Sequence, residues 1–193
     1  MSTLLIKFDS PLQSWGTTLK LKDHTTDRYP SKSAVIGMIA SAMGRNRNDD
    51  VSDLANIKFG TRIDRQGTLI RDFQVSEISD EDKKIGHREY LSDACFTCGI
   101  EAEKTTLEYI ESALLHPAYP LFAGRRGCPV TAELVQGIVD TELRETLNSY
   151  DLKGGHRTIV LDSDTGAGTM VKDIPVSFSS ENRQYKYRFV EYL

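Results

Sequence analysis

The stretch YPSKSAVIGMIASAMG, residues 29–44, decides the fold, because the start, apolar face and end of one helix are all marked in it. Pro30 followed by Ser31 and Ser33 is typical of a helix start, where a serine hydroxyl accepts a bond from an unpaired backbone N–H. Gly44 is typical of the residue that follows a helix. The apolar residues between them recur at helical spacing on one face: Val35, Met38, Ile39, Ala42 and Met43. We therefore predict an amphipathic helix packed on a sheet.

The sequence on either side supplies the strands of that sheet. Leu4, Ile6 and Phe8 alternate with other residues and predict a half-buried first strand. Residues 57–63 and 68–75 predict two strands joined by a turn at 64–67, and residues 90–102 predict another strand.

A second helix is predicted to begin at a capping box, in which Thr105 and Glu108 would satisfy backbone N–H groups. Its apolar stripe comprises Leu107, Ile110, Leu114 and Leu115, and His116-Pro117 ends it. An apolar run at 134–139, a helix at 142–148 and strands at 158–161 and 185–192 complete the prediction. This order predicts an α+β fold with helices on one face of the sheet, for which a ferredoxin-like core is the commonest arrangement.

The composition is that of an ordinary globular protein, with 39% hydrophobic and 27% charged residues and a net charge of −4. A free-standing RNA-binding protein usually carries a basic excess, which this chain lacks. Basic side chains nevertheless stand beside glycine, proline and serine, at Lys32, Arg45, Arg47, Arg125 and Arg126. This pattern is compatible with a protein that contacts RNA inside an assembly.

Two segments have the composition of a phosphate site. Lys32, Ser31 and Ser33 lie in the first turn of the predicted helix, where backbone N–H groups favour an anion, although the same residues can act as an ordinary cap. Residues 121–129, LFAGRRGCP, hold Arg125 and Arg126 between two glycines. They can grip a phosphate or form a solvated turn.

Three further residues have both a structural and an RNA-binding interpretation. Arg88 can pair with Glu89 or Asp93, or it can bind a phosphate while Tyr90 stacks under a base. The single tryptophan, Trp15, can fill the core or act as a stacking platform.

Five segments, in order, resemble the CasD family, a small subunit of the type I-E CRISPR Cascade complex that belongs to the RAMP superfamily. They are residues 12–16 (LQSWG), 29–37 (YPSKSAVIG), 71–73 (RDF), 88–96 (REYLSDACF) and 124–129 (GRRGCP). The resemblance covers roughly the first two thirds of the chain.

This resemblance implies a modified ferredoxin-like (RRM-type) core with a protruding β-hairpin thumb and a β-rich C-terminal extension. We predict an RNA-binding core at 1–130, with the thumb near 72–90, and an extension at 131–193 packed on the same core. The implied function is a non-catalytic ribonucleoprotein subunit that binds the 5′ handle of the CRISPR RNA for antiviral target recognition. The implied partners are CRISPR RNA, CasC-like backbone and CasA-like large subunits, and target DNA through the assembled complex.

We predict RNA contacts for eight side chains: Trp15, Lys32, Ser33, Arg45, Arg88, Tyr90, Arg125 and Arg126. The alternative is a metal-independent endoribonuclease that processes precursor RNA, as in the type I-C relative of this family. That reaction needs a general base, for which His24 and His87 are the candidates. A generic RRM-like interaction domain is a third interpretation, but the aromatic-rich strand signature is missing.

No cofactor or metal is predicted. Cys95 and Cys98 stand three apart in a predicted strand, so their side chains should point to opposite faces of it. The sequence shows no apolar run of about 20 residues and no pattern of a signal peptide at Met1, so we expect no membrane contact and a cytoplasmic location.

Overall fold

The computed structural model describes residues 1–16, 23–79, 82–151 and 157–193. Over these residues the chain forms eleven strands and four helices. In chain order they are β1 (Ser2–Asp9), β2 (Leu12–Gln13), β3 (Asp23–His24), α1 (Lys32–Ala42), α2 (Ser52–Ala55), β4 (Lys58–Arg65), β5 (Thr68–Ser79), β6 (Asp82–Ser92), β7 (Cys95–Ala102), α3 (Lys104–Leu115), β8 (Val135–Val139), α4 (Leu143–Ser149), β9 (Thr158–Asp162), β10 (Thr169–Ser177) and β11 (Gln184–Tyr192). The sequence predicts an α+β fold, and its coarser part, a mixture of helices with a mostly antiparallel sheet, is confirmed.

A seven-stranded sheet forms the body of the protein, in the order β10-β11-β9-β4-β7-β1-β8. All of its strand pairs are antiparallel. β1 lies between β7 and β8, and Leu4, Leu5 and Ile6 are all fully buried. The prediction of a half-buried first strand was wrong, because apolar side chains cover both faces of β1.

The helices lie on both faces of this sheet. α1 and α3 enclose the larger core together with Leu4, Ile6 and Phe8 of β1. α4 lies on the opposite face, where Leu143 and Leu147 enclose a smaller cluster with Leu5. The prediction that the helices share one face therefore fails for α4. Along the described residues, no helix has the length and apolar character needed to cross a membrane.

The first predicted helix is confirmed in its cap and its end. The Ser31 hydroxyl accepts a bond from the Ala34 N–H, and Gly44 adopts φ +79° after the last turn. The capping box of α3 was wrong, because the helix begins at Lys104 after Glu103 and Thr105 already lies within it. Leu115 is exposed and does not belong to the buried stripe of α3.

A long antiparallel hairpin stands apart from the large sheet. β5 and β6 pair from Thr68 opposite Ser92 to Ser79 opposite Asp82, and β2 and β3 add to β6. The single strand predicted at 90–102 is two strands, separated by a turn in which Asp93 adopts φ +55°. The charged segment 77–84, for which the sequence allows a solvated loop or a hairpin tip, belongs to this hairpin, and residues 80 and 81 within it lie outside the described part of the chain.

The C-terminal third extends the same sheet. β8 pairs with β1, and β9 pairs with β4. β10 was not predicted from the sequence; it forms the edge of the sheet and pairs with β11. The boundary at residue 130 stays a prediction, although β8 and β9 place residues on both sides of it in one sheet.

Candidate nucleic-acid interface

The segments 12–16 and 121–129 pack directly against each other. The Ser14 N–H donates to the Ala123 carbonyl at 3.1 Å, and the Ala123 N–H donates to the Cys128 carbonyl at 2.7 Å. Gly124 adopts φ +90°, and a Cβ atom there would overlap the Ser14 carbonyl oxygen. Glycine at 124 is therefore required for the two segments to meet.

Gln13 and Trp15 anchor these segments to the core. The Gln13 amide donates to the carbonyls of Phe8 and Ala94 and accepts a bond from the Trp15 indole N–H. Trp15 is 1% exposed, and its ring packs edge-to-face against the Phe8 ring with 4.8 Å between the ring centroids. The structure thus favours the core interpretation of Trp15, since a buried ring offers no face to a base. The role of Gln13 was missed, because it depends on the Ala94 carbonyl, which lies 81 residues away in the chain.

A cleft of about 930 Å³ opens beside these segments. α1 forms its floor, and residues 119–126 and 178–185 form its walls. We call it the arginine cleft after four of its lining side chains: Arg45, Arg47, Arg126 and Arg183. The aromatic residues that line it are Tyr119, Phe122, Phe178 and Tyr185.

The charge of the arginine cleft is positive. No Asp or Glu occurs among the described residues that line it. Arg45 forms a bidentate salt bridge with the Asp53 carboxylate, and this interaction raises the pKa of Arg45 above its ordinary value. Within the described part of the chain, no carboxylate lies in ion-pair range of Arg47, Arg126 or Arg183. Their guanidinium groups can therefore bind phosphates, while the neighbouring rings can stack on bases.

Lys32 is not presented to the cleft, contrary to its predicted phosphate contact. Its side chain is 5% exposed, and its ammonium group lies 3.2 Å from Asp162. Its backbone N–H donates to Asp173 at 2.9 Å. Burial is the main cause that lowers the pKa of Lys32, and the Asp162 carboxylate opposes this effect. The helix start does attract an anion, but the anion is a carboxylate from β10.

Ser33 keeps a place at the cleft although it is mostly buried. It is 6% exposed, lines the cleft and has its hydroxyl 3.2 Å from that of Ser31. Ser33 therefore forms part of the cleft floor, and its hydroxyl is already engaged with Ser31.

Arg188 completes the buried charge cluster beside α1. Its guanidinium donates to Asp173 through two nitrogens, at 2.6 and 2.8 Å, and to Asp162 at 2.7 Å. Together with Lys32, the cluster contains two cations and two carboxylates. It joins α1 to the C-terminal strands and has no net charge, so it is a structural clamp.

The two adjacent arginines of the glycine loop reach different places. Arg126 is exposed and lines the arginine cleft. Arg125 lies over the Tyr90 ring at 5.5 Å, and one of its nitrogens is 3.5 Å from the Thr25 carbonyl. Arg125 thus connects the loop to the β5–β6 hairpin, outside the cleft.

Arg88 lies on the hairpin, in register with Asp72 on β5. Glu89, one of the two partners that the sequence offered Arg88, pairs with Arg71 at 2.9 Å. This bond lowers the pKa of the Glu89 carboxyl. Of the eight predicted contacts, the structure brings Ser33, Arg45 and Arg126 to the cleft and places Arg88, Tyr90 and Arg125 at the hairpin.

Of the two histidine candidates for catalysis, His87 does not line the described part of the arginine cleft. His87 lies in β6, and its ring centroid is 5.5 Å from that of Phe73. Strand pairing places His24 opposite Arg88, the next residue of β6. His116 ends α3 with Nδ1 3.3 Å from the Ser112 carbonyl. The fourth histidine, at position 156, lies outside the described residues.

Sequence reasoning missed most of the cleft lining. Phe122 stands in the singled-out segment 121–129 but was not itself predicted, and Tyr119, Phe178, Arg183 and Tyr185 come from stretches without a recognisable motif. The available signal was composition, since these stretches place aromatic residues within a few positions of an arginine.

Comparison with known proteins identifies the family. The family model described as "CRISPR-associated protein (Cas_Cas5)" matches residues 3–191. The CRISPR system Cascade subunit CasD of Escherichia coli (strain K12) is 27% identical over 177 residues, which is 80% of this chain and 79% of that protein.

Two solved structures have the same fold. One, described as a crystal structure of a Cas protein, has a TM-score of 0.78 and 36% identity over 99% of this chain and 93% of its own. The other, from a CRISPR RNA-guided surveillance complex, has a TM-score of 0.82 and 25% identity over 99% of this chain and 89% of its own. The family match spans nearly the whole length, and the chain therefore belongs to the Cas5 family of CRISPR-associated proteins.

Proposed function

We propose that this chain is a subunit of a Cascade-type CRISPR surveillance complex, in which the arginine cleft binds the 5′ handle of the CRISPR RNA. The observation that carries the proposal is the convergence of four arginines and four aromatic residues in one cleft whose described lining has no carboxylate. Arginine binds phosphate with two parallel hydrogen bonds, and aromatic rings stack on unpaired bases. A single-stranded RNA end offers both groups.

The fold supports a ferredoxin-like core as part of this proposal. The succession β1-α1-β4-β7-α3-β8 has the β-α-β-β-α-β order of that fold, and these four strands are neighbours in the sheet. The β5–β6 hairpin corresponds to the proposed thumb. Phe73, Val75 and Ile85 are exposed on it and would contact RNA or a neighbouring subunit.

The proposed partners follow from the assembly. They are CRISPR RNA, CasC-like backbone and CasA-like large subunits, and target DNA reached through the complete complex in the cytoplasm. A net charge of −4 disfavours strong RNA binding by the isolated chain. Partner subunits would therefore supply much of the affinity through linked binding.

Co-assembly with guide RNA tests the cleft. Replacing Arg126 and Arg183 with Ala should weaken the assembly and lower the slope of log affinity against log salt by about 0.7 per lost phosphate contact. Lys104→Ala is the control, since Lys104 is an exposed cation on α3, paired with Asp140 and outside the cleft. An unchanged salt slope in the double variant would reject the cleft as the RNA site.

We further propose that the subunit is not a nuclease. The test is incubation of the purified chain with labelled repeat RNA in EDTA. Site-specific cleavage that is lost in the His24→Ala or His87→Ala variant would replace the scaffold role with the endoribonuclease. Intact RNA in all three proteins is the expected result.

A further inference from the structure

Two large side chains on β11 are exposed beyond the arginine cleft. Tyr187 is 55% exposed and Phe189 is 41% exposed, whereas Arg188 and Val190 between and after them are buried. Alternation along the strand therefore places Tyr187 and Phe189 on one face. Two residues of a strand span about 7 Å, so the rings form a short stripe.

The edge strand β10 adds to this stripe. Met170 lies opposite Phe189 and is 58% exposed, and Lys172 lies opposite Tyr187 with its ammonium group 5.4 Å from the ring centre. We call these four residues the β11 stripe. α4 covers the neighbouring strands on this face and reaches β11 through an ion pair between Arg144 and Glu191. The stripe lies beyond that ion pair.

The stripe itself carries one cation, Lys172, and no carboxylate, although the whole protein is acidic. β10 and β11 carry two carboxylates, and both are paired: Asp173 with Arg188, and Glu191 with Arg144. The charges that remain on the two strands are those of Lys172, which belongs to the stripe, and Lys186, which alternation places on the other face of β11. Exposed aromatic rings with neighbouring cations are the usual composition of a surface that stacks unpaired bases and holds their phosphates.

The stripe is also continuous with the cleft along the chain. Tyr185 lines the arginine cleft and precedes Tyr187 by two residues on β11. Arg183, which also lines the cleft, lies in the connection between β10 and β11. The stripe lies on the face of the sheet that α4 covers, whereas α1 forms the floor of the cleft on the other face. An RNA strand that leaves the cleft past Arg183 therefore passes around the β10–β11 connection to reach the stripe.

We propose that the β11 stripe is a second contact for single-stranded RNA, on which bases beyond those in the arginine cleft stack against Tyr187 and Phe189 while Lys172 binds a phosphate. The proposal deepens the RNA-binding function proposed above and rests on it. It assigns the C-terminal strands a role in determining how much RNA the subunit covers.

Binding of two unstructured RNAs to the full-length chain at low salt tests the stripe. One has about five nucleotides and fills only the cleft, and the other has about twelve. The Tyr187→Ala/Phe189→Ala variant should bind the longer RNA about tenfold more weakly with an unchanged salt slope, because no charge is lost. Its affinity for the shorter RNA should not change.

Matched variants separate stacking from folding. Tyr187→Phe/Phe189→Tyr keeps both rings and should bind the longer RNA like the original protein. Lys172→Gln should lower the salt slope for the longer RNA alone. All of these positions are exposed, and unfolding curves check that each variant folds. If the double alanine variant does not fold, Lys172→Gln and the ring exchange test whether the stripe binds RNA.

The outcomes distinguish the two proposals. If the double alanine variant binds the longer RNA normally, the stripe is not an RNA contact. If that variant instead loses a protein subunit from the assembly, the stripe is a protein interface and the proposal is overturned. If Arg126→Ala/Arg183→Ala leaves both RNAs bound normally, the cleft itself is not the RNA site, whatever the stripe does.

Discussion

At the scale of single residues, Gly124 determines whether the basic loop can form. Its φ of +90° and its contact with Ser14 leave no room for a side chain. We expect Gly124→Ala to lower the free energy of unfolding by about 2–4 kcal/mol, through backbone strain and overpacking. Gly127→Ala is the matched control in the same loop, because no atom lies within 4 Å of its added Cβ. Urea unfolding compares the two variants, and equal losses would contradict this account of the loop.

The buried Cys98 thiol predicts how stability depends on alkaline pH. Burial raises the pKa of Cys98 from about 9 to about 12. Between these values the unfolded chain loses the thiol proton while the folded protein keeps it, so stability falls as pH rises from about 9 towards 12. Burial also raises the pKa values of the Cys95 thiol and the Tyr29 hydroxyl.

The Cys98→Ala variant isolates this contribution. We expect it to lose less unfolding free energy than the original protein between about pH 8 and pH 10.5, even if it is less stable at both. The measurement is urea unfolding at each pH. An equal loss in both proteins would show that Cys98 does not carry the effect.

At the scale of elements, the buried charge cluster fastens the edge strand β10 to helix α1. Asp173 is 1% exposed and accepts bonds from Arg188 and from the Lys32 N–H. We expect Asp173→Asn to lower the free energy of unfolding by about 3 kcal/mol, since it leaves a buried guanidinium undercompensated. Asp164→Asn, which breaks an exposed pair with Lys58, should cost about 0–1 kcal/mol. Similar losses of unfolding free energy in both variants would show that the cluster does not fasten β10 to α1.

The same cluster shows which elements the sequence could predict. α1 was predicted correctly because its cap at Ser31 and its terminal Gly44 are local signals. The burial of Lys32 was not predictable, because its partner Asp162 lies 130 residues away in the chain. β10 was missed since two irregularities in its pairing, at Lys172–Ile174 and Pro175–Ser177, interrupt the alternation that identifies a strand.

The candidate site divides in the same way. Arg126 and Arg45 were found because an arginine near a glycine is a local pattern. Arg183 and Tyr185 reach the cleft only because β10 and β11 carry their hairpin connection next to α1 and Phe178 contacts Gly37. That placement depends on the whole sheet, which local sequence does not specify.

At the scale of the whole molecule, an acidic protein gathers in one cleft three arginines, Arg47, Arg126 and Arg183, that have no carboxylate partner among the described residues. The net charge of −4 limits attraction to RNA in solution, while the cleft presents a local positive surface. This distribution suits a subunit that meets its RNA within an assembly. Membership of the Cas5 family agrees with such a role.

The most direct test of the arginine cleft is a cryo-EM structure of the complex assembled with guide RNA. We predict the 5′ handle in the cleft, with the guanidinium groups of Arg126 and Arg183 about 3 Å from phosphate oxygens. A handle that runs elsewhere, with the cleft empty or filled by another subunit, would contradict the account.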